Sequence, residues 1–425
     1  MIITIIIPMR IIPRRIEISK LRTPGWKMLY GRRKTGKTFL VEHFLQYDEF
    51  FFVGRDGTVY DRNRNGKMSY REFFAIFPRL LNGVVVVDEF HRLPGEFLDL
   101  LHMNSGKGEL ILITSTLWLA KKILLGKGSP LLGIVRPIRI SLIDERDILT
   151  GLSKDLSGKE LIEASTYLRE PLLIPYYTPP VRKFLSNFLH DSSLMIKELI
   201  GEIFTEEEKR LTLVYEGILK GISNGKTTST ELSSYLFSLG LIEKDNPGIL
   251  QKYLGILTEM GILRKVEVIG KRRKKFHYYH VSPLFDLHYY LEAKYAYTEL
   301  DIPEEYIRKV VEEKLPLHVE DFIAELFSKL YGMKRLYIEL PNLQLDVALG
   351  SFKRIEMVGE VKWKEFVGRD EIRKIEEKLS RIDARRFLVV PSLDSLEKEP
   401  EGVEVLTPED ILRMVIEDEG SRYGL

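Results

Sequence analysis

The chain has 425 residues and no cysteine, and its 64 lysine and arginine residues nearly balance 62 aspartate and glutamate residues, for a formal net charge of +2. The missing thiols exclude disulfides, thiolate metal sites and thiol catalysis. The balanced charge excludes a uniformly basic nucleic-acid binder, so any basic surface has to be local. A chain of this length predicts roughly two to four domains, each with its own core.

Residues 1–25 begin with the apolar run MIITIIIPMRII, which Pro8 interrupts. The run is too short to span a bilayer, and no small-residue cleavage site follows it. We therefore expect an N-terminal strand or arm and no membrane partner. Together with the absence of cysteine, this predicts a cytoplasmic protein.

Residues 26–144 alternate short apolar runs with helix-like segments. The runs are WKMLY, EFFFV, GVVVVDEF and GELILITST. Continuous apolar character is typical of strands that are buried on both faces, as in a parallel sheet covered by helices. The pattern predicts an α/β fold with a parallel sheet.

The segment GRRKTGKT follows the first run, precedes a helical segment and fits the phosphate-binding P-loop pattern. Its glycines allow backbone N–H groups to converge on phosphate oxygens at the N-terminus of the helix. Lys37 should reach the β- and γ-phosphates, and Thr38 should bind Mg²⁺. The residues predicted to bind ATP are Gly31, Arg32, Arg33, Lys34, Thr35, Gly36, Lys37, Thr38 and Phe39.

Residues 61–72, DRNRNGKMSYRE, have the spacing of a calcium-binding loop, with Asp61 in the first ligand position and Glu72 in the last. A strand-like run and a glycine-rich turn precede the stretch, where a calcium-binding helix–loop–helix unit needs a helix. Arginine and lysine side chains within it also oppose a divalent ion. We interpret it as an Asn/Gly turn that starts a helix.

The run VVVVDEF ends in Asp88 and Glu89. Asp88 can hold Mg²⁺ directly or through water, and Glu89 can orient and deprotonate the attacking water. A chance P-loop lookalike is the alternative, but the two elements occur together in the expected order. We therefore predict Lys37 and Glu89 as catalytic residues, and Thr38 and Asp88 as ligands of Mg²⁺ bound with ATP.

The run LILITST ends in Thr114, Ser115 and Thr116, and Arg136 and Arg139 follow in SPLLGIVRPIRI. The hydroxyl groups could contact the γ-phosphate or the water, or they could simply satisfy the end of a strand. Either arginine could stabilise transition-state charge, or could lie on the surface. Thr114, Ser115 and Arg136 are retained as possible sensors of the γ-phosphate.

These stretches, MLYGRRKTGKTFLVEHF, VVVVDEFHRL, ILITST and SPLLG in this order, resemble archaeal-type P-loop ATPases of the AAA+/STAND branch. The resemblance implies that Gly31, Gly36, Lys37 and Thr38 bind nucleotide, and that Asp88 and Glu89 serve Mg²⁺ and water. It also implies a helical lid, a winged helix and a C-terminal nuclease-like domain after the ATPase core.

The chain departs from that family at two places. Ile134 stands where the family usually has an arginine after SPLLG, which leaves the arginine contribution to Arg136. The lid usually has a Gly-Gly-x-Pro-like turn, whereas this chain has Arg169, Glu170 and Pro171. A contact from the lid to the nucleotide is therefore not assigned.

We divide the rest of the chain by its patterns. Residues 145–206 read as the helical lid, and residues 207–298 as three helices and a hairpin, which suggests a winged helix. The hairpin turn KRRKK, Lys271–Lys275, is basic and is followed by aromatic residues. Such a turn can bind DNA, or it can be a solvated hairpin or a wing that packs on another domain.

Residues 299–425 combine a helical Glu320 with QLDVAL and GEVKW, which place Asp346 on one strand and Glu360 and Lys362 on the next. Residues two apart on a strand share a face. Carboxylates and a lysine in this arrangement suit metal-assisted phosphodiester hydrolysis, and their order is similar to the restriction-endonuclease-like fold. An inactive nuclease fold that binds a partner or DNA remains equally open.

The sequence thus favours an ATPase that uses ATP and Mg²⁺, and whose nucleotide state controls the winged helix and the C-terminal module, acting on DNA. The alternative is a switch that hydrolyses ATP slowly and recruits partners through an inactive nuclease-like fold. The oligomeric state does not follow from the sequence.

Overall fold

The computed structural model describes residues 11–126, 129–207, 209–269, 274–339, 343–352 and 354–423. These residues form two seven-stranded sheets with a helical region between them. None of the helices described is both long and apolar enough to cross a membrane. The apolar run that opens the sequence lies outside the described residues as far as residue 10.

The first sheet has the order β4-β3-β2-β5-β6-β1-β7. Its strands are β1 Lys27–Tyr30, β2 Glu49–Val53, β3 Val59–Asp61, β4 Gly66–Met68, β5 Val84–Asp88, β6 Glu109–Thr114 and β7 Arg136–Arg139. The helices of this region are α1 Arg15–Leu21, α2 Lys37–Phe44, α3 Tyr70–Leu80, α4 Glu96–Met103 and α5 Trp118–Leu125. Strands β2, β5, β6, β1 and β7 run parallel, as predicted, and β3 and β4 add an antiparallel hairpin.

The N-terminal segment is not only a strand or arm, because residues 15–21 form helix α1. Ile18 and Leu21 lie three positions apart on one helical face, and both are buried beside β1 and β7 residues. Before the helix, Ile12 is buried against the helical middle region. The segment therefore joins the first sheet to the lid instead of projecting from the molecule.

The middle region is helical and contains the predicted lid and winged-helix segments. Its elements are α6 Glu145–Leu152, α7 Gly158–Leu168, α8 Val181–Asp191, α9 Ser193–Glu206, α10 Leu213–Ser223, α11 Ser229–Ser238, α12 Pro247–Glu259, β8 Leu263–Ile269, β9 Phe276–His280 and α13 Pro283–Tyr295. Strands β8 and β9 form the expected antiparallel hairpin. A Thr228–Glu231 capping box starts α11, which satisfies two backbone N–H groups that the helix itself leaves free.

The C-terminal region contains α14 Glu304–Leu330, β10 Lys334–Ile338, β11 Val347–Ser351, β12 Arg354–Val361, α15 Arg369–Ser380, β13 Arg385–Val389, β14 Glu404–Leu406 and α16 Pro408–Tyr423. Helix α14 continues through Pro316 as one helix of 27 residues. The second sheet has the order β14-β13-β12-β11-β10-β8-β9.

The hairpin β8–β9 belongs to this second sheet. Strand β8 pairs in parallel with β10, with Leu336 opposite Glu267 and Ile338 opposite Ile269. The predicted boundary at residue 298 therefore separates strands that share one hydrogen-bonded sheet. In addition, α14 packs on α6, α7 and α8, so that one apolar core crosses the boundaries predicted at 206 and 298. The division into independent domains stays a prediction.

We expect a fragment of residues 299–425 to lack a cooperative fold, since it loses the β8 partner of β10 and the helices that cover α14. A fragment of residues 145–425, which keeps both, should unfold in one cooperative transition. Thermal melting followed by circular dichroism distinguishes the two fragments. Cooperative melting of the shorter fragment would show that the C-terminal region is self-sufficient.

Candidate functional site

The loop of residues 31–36 joins β1 to α2, and its two glycines are required by different constraints. A Cβ atom on Gly31 would lie 1.9 Å from the carbonyl oxygen of Ile140, because the chain after β7 passes directly against the loop. Gly36 has φ = +84° at the N-cap of α2, a conformation that costs other residues energy. The sequence pattern thus produces a tight turn that ends at a helix N-terminus.

Lys37 lies inside the curve of this loop. Its Nζ donates to the carbonyl oxygens of Gly31 at 2.8 Å and of Arg32 at 3.0 Å. Burial lowers the pKa of Lys37 to about 8, although the nearby Glu89 and Asp88 oppose the shift. Among the described residues, the hydrogen-bond partners of this buried amino group are neutral carbonyl oxygens, and a phosphate at this place would supply the compensating charge.

Thr38 and Asp88 meet beside Lys37. The Thr38 hydroxyl donates to Asp88 Oδ2 at 2.7 Å, whereas Asp88 Oδ1 is buried without a hydrogen-bond partner in the described part of the chain. Burial raises the pKa of Asp88 to about 6. Hydroxyl and carboxylate oxygens are ligands that Mg²⁺ accepts together with phosphate oxygens and water, so these two residues fit the ion predicted for them.

Glu89 follows Asp88 in a left-handed conformation, with φ = +57°. Its carboxylate accepts a hydrogen bond from the Ser115 hydroxyl at 3.0 Å and lies 3.3 Å from His91 Nδ1. Thr114 lies level with Tyr30, the last residue before the loop, since β6 lies between β5 and β1. The strand order thus brings the predicted Glu89 and Ser115 to the same sheet edge as the loop.

The hydroxyl group of Thr114 has local partners. It bonds His91 Nδ1 at 2.9 Å and the Thr116 hydroxyl at 3.1 Å. Thr114 and Thr116 are fully buried. In this structure Ser115 bonds Glu89 directly, whereas Thr114 bonds His91 and Thr116 bonds Thr114.

The structure places Arg136 away from the loop. It starts β7 opposite Lys27, at the far end of β1 from the loop, and its Nη1 donates to the Thr23 hydroxyl at 2.7 Å. Arg139 ends the same strand beside Tyr30 and is exposed. Strand register, which the motif does not give, determines the edge of the sheet at which a side chain lies. A sensor role for Arg136 stays a prediction.

The two arginines of the loop are paired with carboxylates of the lid. Arg32 and Glu170 form an ion pair in which both side chains are buried, and Ser282 donates a hydroxyl hydrogen bond to Glu170 at 2.8 Å. Arg33 pairs with Glu206, and with Glu202 at 2.8 Å. The sequence marked Glu170 only as a departure in the lid turn, and it gave no signal for the other two carboxylates.

A mostly apolar cavity of about 350 Å³ lies between the loop and the lid. Phe39 and Lys34, which the sequence predicted to bind ATP, line it together with Ile12, Leu172 and Tyr176. Its volume falls within the range of small-molecule sites. The sequence did not predict it, because its walls come from the N-terminal segment and from the lid.

The remaining predicted residue of the loop, Thr35, has a structural role. Its hydroxyl donates to the carbonyl of Arg32 at 2.9 Å, and its own carbonyl accepts from Arg14 Nη2 at 2.6 Å. Arg14 also bonds the carbonyl of Ser141 at 2.9 Å. The N-terminal segment thus fixes the loop on the side that faces the cavity.

Residues 61–72 form a hairpin turn and a helix start, not a calcium site. The Asp61 carboxylate accepts from the backbone N–H groups of Asn63 and Arg64 and pairs with the Arg64 side chain at 2.7 Å. Glu72 accepts from the backbone of Ser69 at 2.8 Å in the capping box of α3. Both end carboxylates of the motif are therefore used locally, and the turn is flanked by the short strands β3 and β4.

The C-terminal carboxylates come together around a lysine. Lys362 Nζ donates to Glu360 at 2.8 Å and to Asp346 at 3.2 Å, and Asp346 also accepts from the backbone of Val361 at 2.9 Å. Lys378 pairs with the other oxygen of Glu360. Asp346 lies one residue before β11 rather than on it, and Lys362 lies one residue after β12.

Glu320, on α14, faces the same group. Burial, with a contribution from Asp346, raises the pKa of Glu320 to about 8. Burial opposes protonation of Lys362, but Asp346 and Glu360 outweigh it and raise its pKa. Among the described residues, no three histidine, aspartate or glutamate side chains converge closely enough to hold a metal ion alone. The four predicted residues are neighbours, but Lys362 lies between the carboxylates.

The predicted basic turn falls partly outside the described residues. Residues 271–273 are outside, whereas Lys275 forms an ion pair with Glu339 at 3.0 Å. The described end of the turn thus contacts the C-terminal region. DNA binding by this turn stays a prediction.

No family model matches the chain, and no curated protein matches it. Among solved structures it is similar to the Aeropyrum pernix ORC1 protein in complex with DNA, with 16% identity, 69% of this chain and 96% of that chain covered, and a TM-score of 0.31. It is also similar to the Aeropyrum pernix ORC2 protein with ADPNP and ADP, with 13% identity, 73% and 93% coverage, and a TM-score of 0.36. At these values the likeness does not determine the function.

We expect Asp88→Asn to stabilise the nucleotide-free protein at pH 7 by roughly 2 to 3 kcal/mol, since ionising this buried carboxylate opposes folding. Its folded pKa, about 6, lies above the ordinary value of 3.8. The gain should therefore be absent below pH 3.8, grow between the two pKa values and be complete above pH 6. Denaturant unfolding of both proteins at several pH values measures it, and a gain that does not change with pH would contradict the cause.

Proposed function

We propose that the chain is a Mg²⁺-dependent P-loop ATPase of the AAA+ type, and that its nucleotide state controls a C-terminal module that acts on DNA. The observation that carries the proposal is the meeting of Lys37, the Thr38–Asp88 pair and the Glu89–Ser115 pair at one sheet edge. A cation, metal ligands and an oriented carboxylate are the groups that phosphoryl transfer to water needs.

Each of these side chains has a separate role in the proposed reaction. Lys37 exchanges its loop carbonyls for phosphate oxygens, which the buried ammonium group binds more strongly. Thr38 and Asp88 hold Mg²⁺, which neutralises phosphate charge when bound. Glu89, fixed by Ser115, orients a water molecule and accepts its proton. The nucleoside part of ATP occupies the apolar cavity beside Phe39.

The ion pairs of Arg32 with Glu170 and of Arg33 with Glu206 can transmit the effect of a bound nucleotide to the lid. ATP brings negative charge next to Arg32 and Arg33, where it competes with the lid carboxylates Glu170 and Glu206 for the guanidinium groups. Glu170 also holds Ser282, the N-cap residue of α13. A change in the Arg32–Glu170 pair therefore shifts the lid and α13 relative to the loop, which gives a two-state element that the nucleotide biases.

For the C-terminal module we propose metal-assisted phosphodiester hydrolysis by Asp346, Glu360 and Lys362, with Glu320 beside them. Carboxylates bind the metal and the lysine stabilises charge on the reacting groups. A second candidate is a module that binds nucleic acid without cutting it. It is favoured by Lys362, whose amino group bonds both carboxylates in the place that a metal ion would need.

We expect Lys37→Ala to lose nucleotide binding, and Glu89→Gln to bind ATP with near-normal affinity but hydrolyse it at least about a hundredfold more slowly. ATP turnover and binding of a fluorescent ATP analogue measure the two effects. Lys67→Ala is a suitable control, because Lys67 is exposed on the edge strand β4. Normal turnover in Lys37→Ala would overturn the ATPase assignment.

For the C-terminal site we expect Asp346→Ala to abolish Mg²⁺- or Mn²⁺-dependent DNA cleavage while ATP turnover stays within about twofold of the wild-type rate, because a distant site leaves the P-loop intact. The readouts are gel analysis of labelled DNA and phosphate release. If the wild-type protein binds DNA but never cuts it, the second candidate replaces the first. Cleavage that persists in Asp346→Ala would place the chemistry elsewhere.

A further inference from the structure

A cavity of about 690 Å³ opens beside the C-terminal carboxylates. Asp346, Glu360 and Lys362 line one side of it, and Thr227 and His277 of the predicted winged-helix segment line the other. The cavity exists because β8 pairs with β10, which fixes the hairpin β8–β9 against the C-terminal sheet. The hairpin is thus a wall of this cavity.

Two stacked rings form part of that wall. The ring centroids of His277 and Tyr337 lie 3.8 Å apart with an interplanar angle of 21°. Thr227 holds His277 through a hydrogen bond of 2.7 Å to Nδ1, and burial lowers the pKa of His277, which keeps the ring neutral at pH 7. His277 covers one face of the Tyr337 ring, and Tyr337 is half-buried and lines the same cavity as the carboxylates.

The cavity also contains polar groups that lack partners. His280, which lines it, has a buried Nδ1 without a hydrogen-bond partner among the described residues. Its Nε2 is engaged by the carbonyl of Leu219 at 3.0 Å. A buried donor or acceptor of this kind is costly unless water or a ligand satisfies it. The cavity is therefore suited to a ligand with both a flat ring and hydrogen-bonding groups.

The lysine and arginine side chains that line the cavity already form ion pairs with carboxylates. This argues against binding of a phosphate group by charge alone. Arg264 and Arg335 both bond Asp321, Lys314 bonds Asp286 at 2.7 Å, and Lys378 bonds Glu360. Among the described residues that line the cavity, the lysine and arginine side chains therefore offer no unpaired charge to a polyanion. Ring stacking remains, and stacking on aromatic side chains recognises unpaired bases of any sequence.

The size of the cavity determines whether a single strand or a duplex can enter it. Its volume lies in the range of pockets for small molecules, which is enough for about one or two nucleotides. A stacked and paired base does not expose its ring faces, and it can reach such a pocket only when it leaves the duplex. A ligand for the His277–Tyr337 wall must therefore present an unstacked base.

We propose that this cavity binds one or two nucleotides of a single strand, with a base stacked on Tyr337 and the adjoining backbone next to Lys362. The inference rests on the proposed function of the C-terminal site and adds its substrate class, a single-stranded nucleic acid. Stacking sets the preference for an unpaired strand.

The test measures binding without cleavage, by fluorescence anisotropy in EDTA. The probes are labelled single-stranded oligothymidylate, the equivalent oligouridylate and a blunt-ended duplex of equal length. We expect the wild-type protein to bind a single strand at least about tenfold more tightly than the duplex, and Tyr337→Ala to lose about tenfold in affinity for the single strand. The two single-stranded probes show whether DNA or RNA is preferred.

Tyr337→Phe keeps the ring and should bind like the wild-type protein, and Tyr306→Ala, an exposed tyrosine on α14, should have no effect. ATP turnover and thermal melting of each variant verify folding and are independent of the cavity. Equal affinity for single strand and duplex, or unchanged binding in folded Tyr337→Ala, would overturn the inference. That outcome differs from failure of the proposed function, which appears as absent ATP turnover or absent cleavage.

Discussion

The buried ion pair between Arg32 and Glu170 is the contact on which the arrangement of the molecule depends. It joins the loop after β1 to the lid, and through Ser282 it reaches α13. Removing one partner of such a pair leaves an uncompensated buried charge, which typically costs about 3 to 5 kcal/mol. The loop and the lid are therefore coupled through this pair. Neither Arg32 nor Glu170 can move away without a large cost, unless another charge takes the place of the partner that it loses.

The same constraint explains why the loop has two arginines between its glycines. A P-loop needs small residues where the backbone turns, but the intervening positions are free to vary, and here Arg32 and Arg33 point to carboxylates on two different lid segments. The lid carboxylates Glu170, Glu202 and Glu206 supply negative charge beside the loop. Under the proposed function a nucleotide adds to that charge, which links nucleotide binding thermodynamically to the position of the lid.

Much of the first sheet and its site could be predicted because the signals are local. The spacing of the glycines, the run VVVV before Asp88 and the helix that starts after Gly36 are each recognised from residues next to one another in the chain. What the sequence could not give depends on register and on distant contacts. The position of Arg136 depends on how β7 is aligned with β1, which no local motif gives. The lid carboxylates Glu202 and Glu206 belong to no recognisable motif. Residues 61–72 show that a local pattern can also mislead. They have the spacing of a calcium-binding loop, but the carboxylates at both ends bond groups of the turn and of the helix start.

The pairing of β8 with β10 also affects how the chain reaches this structure. Leu336 and Glu267, which lie opposite each other, are 69 positions apart (336 − 267), and the two strands run parallel. Contacts between such distant segments form slowly, because a long loop has to close before they stabilise anything. The first sheet lies earlier in the chain and can complete its P-loop edge while later residues are still being synthesised. The cavity at the hairpin is therefore assembled late, and a nascent chain forms the loop after β1 before it forms this cavity.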